Sequence, residues 1–329
     1  MRSVTNMDDR LGIAVAGTIL VDKIKGISAY PDCGQLVQIL SQEKAVGGLV
    51  PNVGVDLKKI DPTLPVYAYG KVGNDEEGDY IIDVLSNNGV DCENIIRDKD
   101  ESTSYTDVMS VVGGQRTFFT YPGTSSTYGF DDIDFSKMTA KILHLGYFLL
   151  LDKIDGGDGE RILKAAEEAG VKTSIDLVSE NSDRYNLVIP CLKYTDYLII
   201  NELEAAKMAG MDPDPNNLEA IARKLMAMGV KEKVIIHMKD RGVCLSKEGF
   251  TLMPAYAATK EYIKGKTGAG DAFCSGALLG IYKGLSDYDI LDLASMAAVA
   301  SLRTADATSG VVSYDELCEL CKDLGREEI

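Results

Sequence analysis

Along the chain, short apolar runs alternate with longer stretches whose apolar positions recur every three to four residues. The short runs predict strands at Ile13–Ala16, Val66–Tyr69, Lys141–Leu145, Lys172–Asp176, Tyr197–Ile200 and Val234–His237. The longer ones predict helices over Asn52–Ile60, Glu76–Asn88, Gly159–Ala169, Glu202–Ala209 and Leu218–Met228. Three further helices follow in succession at Asp271–Lys283, Tyr288–Ala305 and Ser313–Leu324. Alternation of this kind builds βαβ units on a mainly parallel sheet, which defines an α/β protein. Two segments depart from it. Ser104–Val112 and Gln115–Tyr121 are β-rich and joined by Gly113-Gly114, a hairpin signal, and Asp22–Val46 is irregular and β-leaning. The expected organisation is a single domain over 1–329 with a small β lid built from insertions at about 22–46 and 104–121. Such a lid covers the carboxyl ends of the strands, where open parallel sheets bind ligands.

Composition narrows the partners more than the fold. A chain of 329 residues that is 45% apolar holds a core large enough for one α/β domain. Its net charge of −17, with no clustered Lys or Arg, argues against nucleic acid, so any anionic ligand must rely on local groups. The seven cysteines are odd in number and scattered, which fits reduced thiols and a cytoplasmic location. Cys318 and Cys321 sit one helical turn apart with no second pair, so a zinc site is not expected. The apolar run Leu11–Val21 follows Asp8 and Asp9 where a signal peptide carries positive charge, and it reads as core strand. No other run approaches the length of a membrane span.

Candidate chemistry concentrates at Thr267-Gly268-Ala269-Gly270-Asp271, which runs into a helix closed by Lys283-Gly284. Small residues leave the backbone amides bare at the positive end of a helix, a setting that suits a phosphate. A carboxylate in that first turn repels a resting anion but serves phosphoryl transfer, where a base takes the proton of the attacking hydroxyl. Two nearby patterns fail. Gly265-Lys266-Thr267 lacks the earlier glycine of a P-loop, since position 260 is Lys260, and Phe273 breaks a dinucleotide fingerprint starting at Gly268. The histidines His144 and His237 lie in strand-like runs, as core or strand-end residues do, without metal-ligand spacing.

Three separated signals coincide: Gly47-Gly48-Leu49-Val50-Pro51-Asn52, Asn201-Glu202-Leu203-Glu204, and the Gly268–Asp271 turn. In this order the chain resembles the ribokinase-like (phosphofructokinase-B type) carbohydrate kinases over nearly its whole length. Gly70-Lys71-Val72-Gly73-Asn74-Asp75 and Arg116–Gly123 also look like family segments. The resemblance implies a three-layer α/β/α fold with a small β lid, an ATP- and Mg2+-dependent kinase, and a free sugar acceptor phosphorylated on a hydroxymethyl group. A nucleoside acceptor, or a sugar-sensing homologue with weakened transfer, are the alternatives it leaves. It implies Asp271 as base and the amides of Gly268, Ala269 and Gly270 as anion hole. Asp22, Gly47, Gly48 and Asn52 would hold the acceptor. Asn201, Lys239, Gly242, Lys266 and Thr267 would face the nucleotide, and Glu204 would act on the metal through water. A homodimer through the lid is implied by the same analogy. The family motif carries Asp-Thr where this chain has Gly265-Lys266, so a monovalent cation site is in doubt and Lys266 is the candidate counter-charge. His237-Met238-Lys239-Asp240-Arg241-Gly242 replaces the usual Thr-Leu-Gly-x-x-Gly, keeping Gly242 and adding Lys239.

Overall fold

The structure is a computed structural model that describes residues 10–111, 115–180 and 182–329. Val112 and the Gly113-Gly114 turn lie outside the described residues.

In chain order the elements are β1 (Ile13–Gly17), β2 (Leu20–Ile27), β3 (Ile39–Gly47), α1 (Leu49–Ile60), β4 (Val66–Gly73), α2 (Glu76–Asn87), β5 (Asp91–Asp98), β6 (Tyr105–Val111), β7 (Arg116–Tyr121) and β8 (Ile142–Phe148). They continue with α3 (Gly159–Glu168), β9 (Lys172–Leu177), β10 (Tyr197–Asn201), α4 (Glu202–Ala209), α5 (Leu218–Ala227), β11 (Lys233–His237), β12 (Arg241–Ser246), β13 (Gly249–Pro254), α6 (Ala269–Lys283), α7 (Asp287–Ser301) and α8 (Tyr314–Lys322).

A nine-stranded sheet runs β13-β12-β11-β10-β9-β8-β1-β4-β5, parallel except for β12 and β13 at one edge. Both faces are buried, as helical crossovers on a parallel sheet require. Side chains alternate between two cores. Ile13 and Val15 of β1 join α1, α2, α6 and α7 on one face, while Ala14 and Ala16 join α3, α4 and α5 on the other. The helix α6 is buried along most of its length, and α7 crosses it so closely that a Cβ at Gly276 would lie 2.6 Å from the Ala294 Cα. Its ends are set by glycines in the left-handed region, Gly268 at φ 79° and Gly284 at φ 69°.

Strands β3-β2-β6-β7 form a separate four-stranded sheet. Its β6 and β7 pair antiparallel with Ser110 opposite Arg116, in agreement with the hairpin reading. The polar run Asp91–Asp98 is an edge strand that the hydrophobic pattern did not announce. Helix α7 stops at Ser301 rather than Ala305, because the chain from Leu302 to Thr304 closes into turns on Val299, Ala300 and Ser301.

Candidate active site

The carboxyl ends of β8, β9, β10 and β11 converge on the N-terminus of α6. A cavity of about 170 Å³ opens there, walled by Tyr147, Asp176, Ser179, Asn201, Glu204, His237, Gly268, Gly270 and Asp271. Asp271 occupies the first turn of α6 and is 5% exposed. Its Oδ2 accepts the Asn52 side-chain amide at 2.8 Å, and the Tyr147 hydroxyl donates to both of its oxygens at 2.9 Å. Burial pushes the Asp271 carboxyl up to about 7, and the Asp176 and Asp22 charges add to that push against the Asn52 and Tyr147 donors. A carboxyl so poised changes protonation state near neutral pH.

Gly47 and Gly48 are required by close approach. A Cβ at Gly47 would lie 2.5 Å from Asp22 Oδ2, and one at Gly48, at φ 85°, would lie 2.6 Å from the Thr18 carbonyl. The pair brings α1, and with it Asn52, up to Asp271. Asp22 follows on β2, its carboxyl raised to about 6 by burial. Gly268 fits beneath the 304–309 turn, where a Cβ would be 2.5 Å from the Ala307 carbonyl. The amide of Ala272 bonds back to Gly268, starting α6.

Asn201 and Glu204 form a reciprocal cap at the start of α4. Asn201 Oδ1 accepts the Glu204 amide at 2.9 Å, and Glu204 Oε2 accepts the Asn201 amide at 3.1 Å. Ser179 donates to Glu204 Oε1 at 2.7 Å. Burial still lifts the Glu204 carboxyl to about 7.

A larger cavity of about 410 Å³ adjoins the first across Asn201, His237 and Gly270. Its wall is apolar at Tyr256, Ile263, Phe273 and Val299, and carries Lys239 and Lys266. Burial lowers His237 to about 4, which leaves a neutral ring tilted against Phe273, with ring centroids 4.9 Å apart, between the two cavities. Thr267 instead meets the smaller sheet, where Arg116 donates to its hydroxyl at 3.1 Å. Gly242 stands apart from the other expected residues. It is behind the wall, where a Cβ would touch Phe273 and Leu291, and it contributes packing room rather than cavity surface.

Two residues of this site carried no sequence motif, Tyr147 and Asp176. Both stand at or just beyond the carboxyl ends of expected strands, which was the available signal. Asp176 Oδ1 accepts the Tyr147 amide at 2.8 Å, and a Cβ at Gly146 would lie 2.2 Å from that oxygen.

The family model described as pfkB family carbohydrate kinase matches residues 17–313. The chain belongs to this family. It is a carbohydrate kinase with a ribokinase-like α/β fold. Ribokinase of Arabidopsis thaliana is 22% identical, with 94% of this chain and 81% of that protein covered. Fructokinase-2 of Oryza sativa subsp. japonica is 25% identical, covering 81% and 79%. The structure of Arabidopsis thaliana ribokinase complexed with ribose and ATP superposes with a TM-score of 0.83 at 21% identity, over 95% of this chain and 99% of that one. These relatives make the chain a sugar kinase of the pfkB family, and kinases of this family use ATP. Among the described residues, no helix is long and apolar enough to cross a membrane.

Proposed function

We propose that the chain transfers the γ-phosphoryl group of ATP to a hydroxymethyl group of a free sugar, with Asp271 as base. The observation that carries this reading is Asp271 itself, a buried carboxyl held near 7 in the first turn of α6, beside the amides of residues 268–270. The acceptor hydroxyl gives its proton to Asp271 as it attacks, and the amides meet the charge that develops on the transferred group. Asp22, Asn52 and the Gly47-Gly48 floor orient the acceptor. The larger cavity takes the nucleotide, its apolar wall facing the base and Lys239 and Lys266 facing phosphates. The smaller sheet acts as a lid of the same single domain, and Arg116 on Thr267 is its existing contact with the turn. Its exposed Leu40, Phe118 and Phe119 support pairing with a second copy of the chain.

The Glu204 carboxylate on the wall of the first cavity is a hard oxygen donor that suits Mg2+. Both Glu204 oxygens are committed to Ser179 and Asn201, so Glu204 would act through water. When bound, the ion offsets charge on the transferring phosphates. A potassium site fits poorly. Position 265 is glycine, where a Cβ would lie 2.5 Å from the Thr304 carbonyl, and it offers no carboxylate. We therefore expect equal turnover in potassium and tetramethylammonium buffers, with Lys266 providing the positive charge. A strong potassium requirement would contradict this.

The test of function is ADP release over a panel of neutral sugars, nucleosides, sugar acids and sugar phosphates. Asp22, Asp176 and Asp271 make the acceptor end acidic, so a neutral aldose or ketose should give the highest kcat/KM and sugar acids the lowest. A nucleoside as best acceptor would favour the nucleoside kinase reading, and no turnover with any acceptor would favour a sensing protein.

A further inference from the structure

The place that an acceptor hydroxyl must occupy is already taken. Proton transfer to Asp271 requires a donor oxygen at hydrogen-bond distance from a carboxylate oxygen. Tyr147 puts its phenol oxygen 2.9 Å from Oδ1 and 2.9 Å from Oδ2, and Asn52 takes a further position on Oδ2. With Asp271 only 5% exposed on the cavity wall, these donors occupy positions on both of its oxygens where an alcohol or water would bind.

The backbone that delivers this phenol is strained. Tyr147 at φ 55° and Leu149 at φ 79° are the positive-φ residues other than glycine among the described residues. Such conformations persist where surrounding contacts over-determine them. Here two carboxylates do so: Asp176 accepts the Tyr147 amide and Asp155 accepts the Leu149 amide, each at 2.8 Å. Asp176 is in turn close to the buried His144, whose Nε2 is 3.7 Å from Asp176 Oδ2 and whose Nδ1 is 3.0 Å from Ser174 Oγ. The backbone is pinned on both sides of Phe148, so the part free to move is the Tyr147 side chain.

We propose that Tyr147 is an acceptor-mimicking gate. Its hydroxyl caps Asp271 in the empty enzyme, shields the base from water, and is displaced when the sugar hydroxyl takes the same position. This inference rests on Asp271 being the base. It reaches past that reading by assigning a residue that restrains wasteful ATP hydrolysis and makes the resting state of the base differ from its working state.

The experiment is Tyr147→Phe, which removes one oxygen and keeps the ring. A phenol that donates to the carboxylate favours its charged form, so losing it raises the proton affinity of Asp271 in the free enzyme only. The acidic limb of kcat/KM, which reports free enzyme, should move to higher pH, while the acidic limb of kcat, which reports the ternary complex, should stay in place. ATP hydrolysis without acceptor should rise several-fold over wild type. Equal movement of both limbs would mean that the phenol stays on Asp271 during turnover, and would overturn the gate. So would unchanged limbs with unchanged ATP hydrolysis in a variant of wild-type thermal stability. Asp271→Asn run alongside separates the two readings. Near-normal turnover there removes the base assignment, whereas an inactive Asp271→Asn with a silent Tyr147→Phe removes the gate alone.

Discussion

Asp271→Asn is expected to lower kcat by about 10²-fold or more while leaving acceptor and nucleotide affinity nearly unchanged. The asymmetry comes from what Asn retains. Its side-chain oxygen still accepts from Asn52 or Tyr147, so the start of α6 and the anion hole keep their geometry. It cannot take a proton. The same argument fixes the sign of the pH dependence. The base works only when deprotonated, and burial together with Asp176 and Asp22 lifts its carboxyl from the ordinary carboxylate range to about 7. Log kcat/KM should therefore fall by about one unit per pH unit below about 7 and level off above it. A limb near 4 would mean that the carboxyl is not desolvated in the working enzyme. Single-turnover rates with calorimetric binding constants check the first expectation, and a normal rate for Asp271→Asn would overturn it.

What the sequence disclosed and what it withheld follow from how each residue acts. Gly268, Gly48 and Gly47 were readable because backbone conformation and close approach leave few alternatives to glycine, at φ 79° and 85° for the first two and with a Cβ that would lie 2.5 Å from Asp22 Oδ2 for the third. The Asn201–Glu204 pair was readable because a reciprocal helix cap has fixed spacing. The parallel strands were readable because both faces are buried, which yields continuous apolar runs. Strand β5 was not, since DCENIIRD lies at the sheet edge and buries little. Tyr147 and Asp176 were illegible for a different reason. They meet Asp271 through tertiary approach of β8, β9 and α6, with no spacing along the chain to reveal it. Gly242 shows the converse: a residue matching a family position marked helix packing against Phe273 rather than a surface of the cavity.

Asp56→Asn is expected to stabilise the fold at neutral pH by up to about 1.4 kcal/mol for each pH unit above the unfolded carboxylate value, because the amide stays neutral without the proton that the folded Asp56 carboxyl holds. Asp56 lies one turn beyond Asn52 on α1 and is fully buried, and neither of its carboxylate oxygens has a hydrogen-bond partner. The nearby cation does not relieve it, because Lys59 donates to the Thr308 carbonyl at 2.8 Å. Burial raises the Asp56 carboxyl well above its ordinary value, and the charges of Asp271 and Asp306 outweigh what Lys59 lowers. The folded chain thus binds a proton that the unfolded chain releases near 4. Below that value Asp56 costs nothing through linkage. As pH rises from there toward the folded-state value, the folded form loses stability relative to the unfolded one. The isosteric amide carries no such proton, so the gain from Asp56→Asn should be greatest above neutrality and shrink steadily toward pH 5. Urea midpoints at several pH values measure it, with the slope of the transition as a check on the denatured state. A pH-independent gain would trace to packing alone, and a loss would mean that the carboxylate is charged and satisfied in the folded protein.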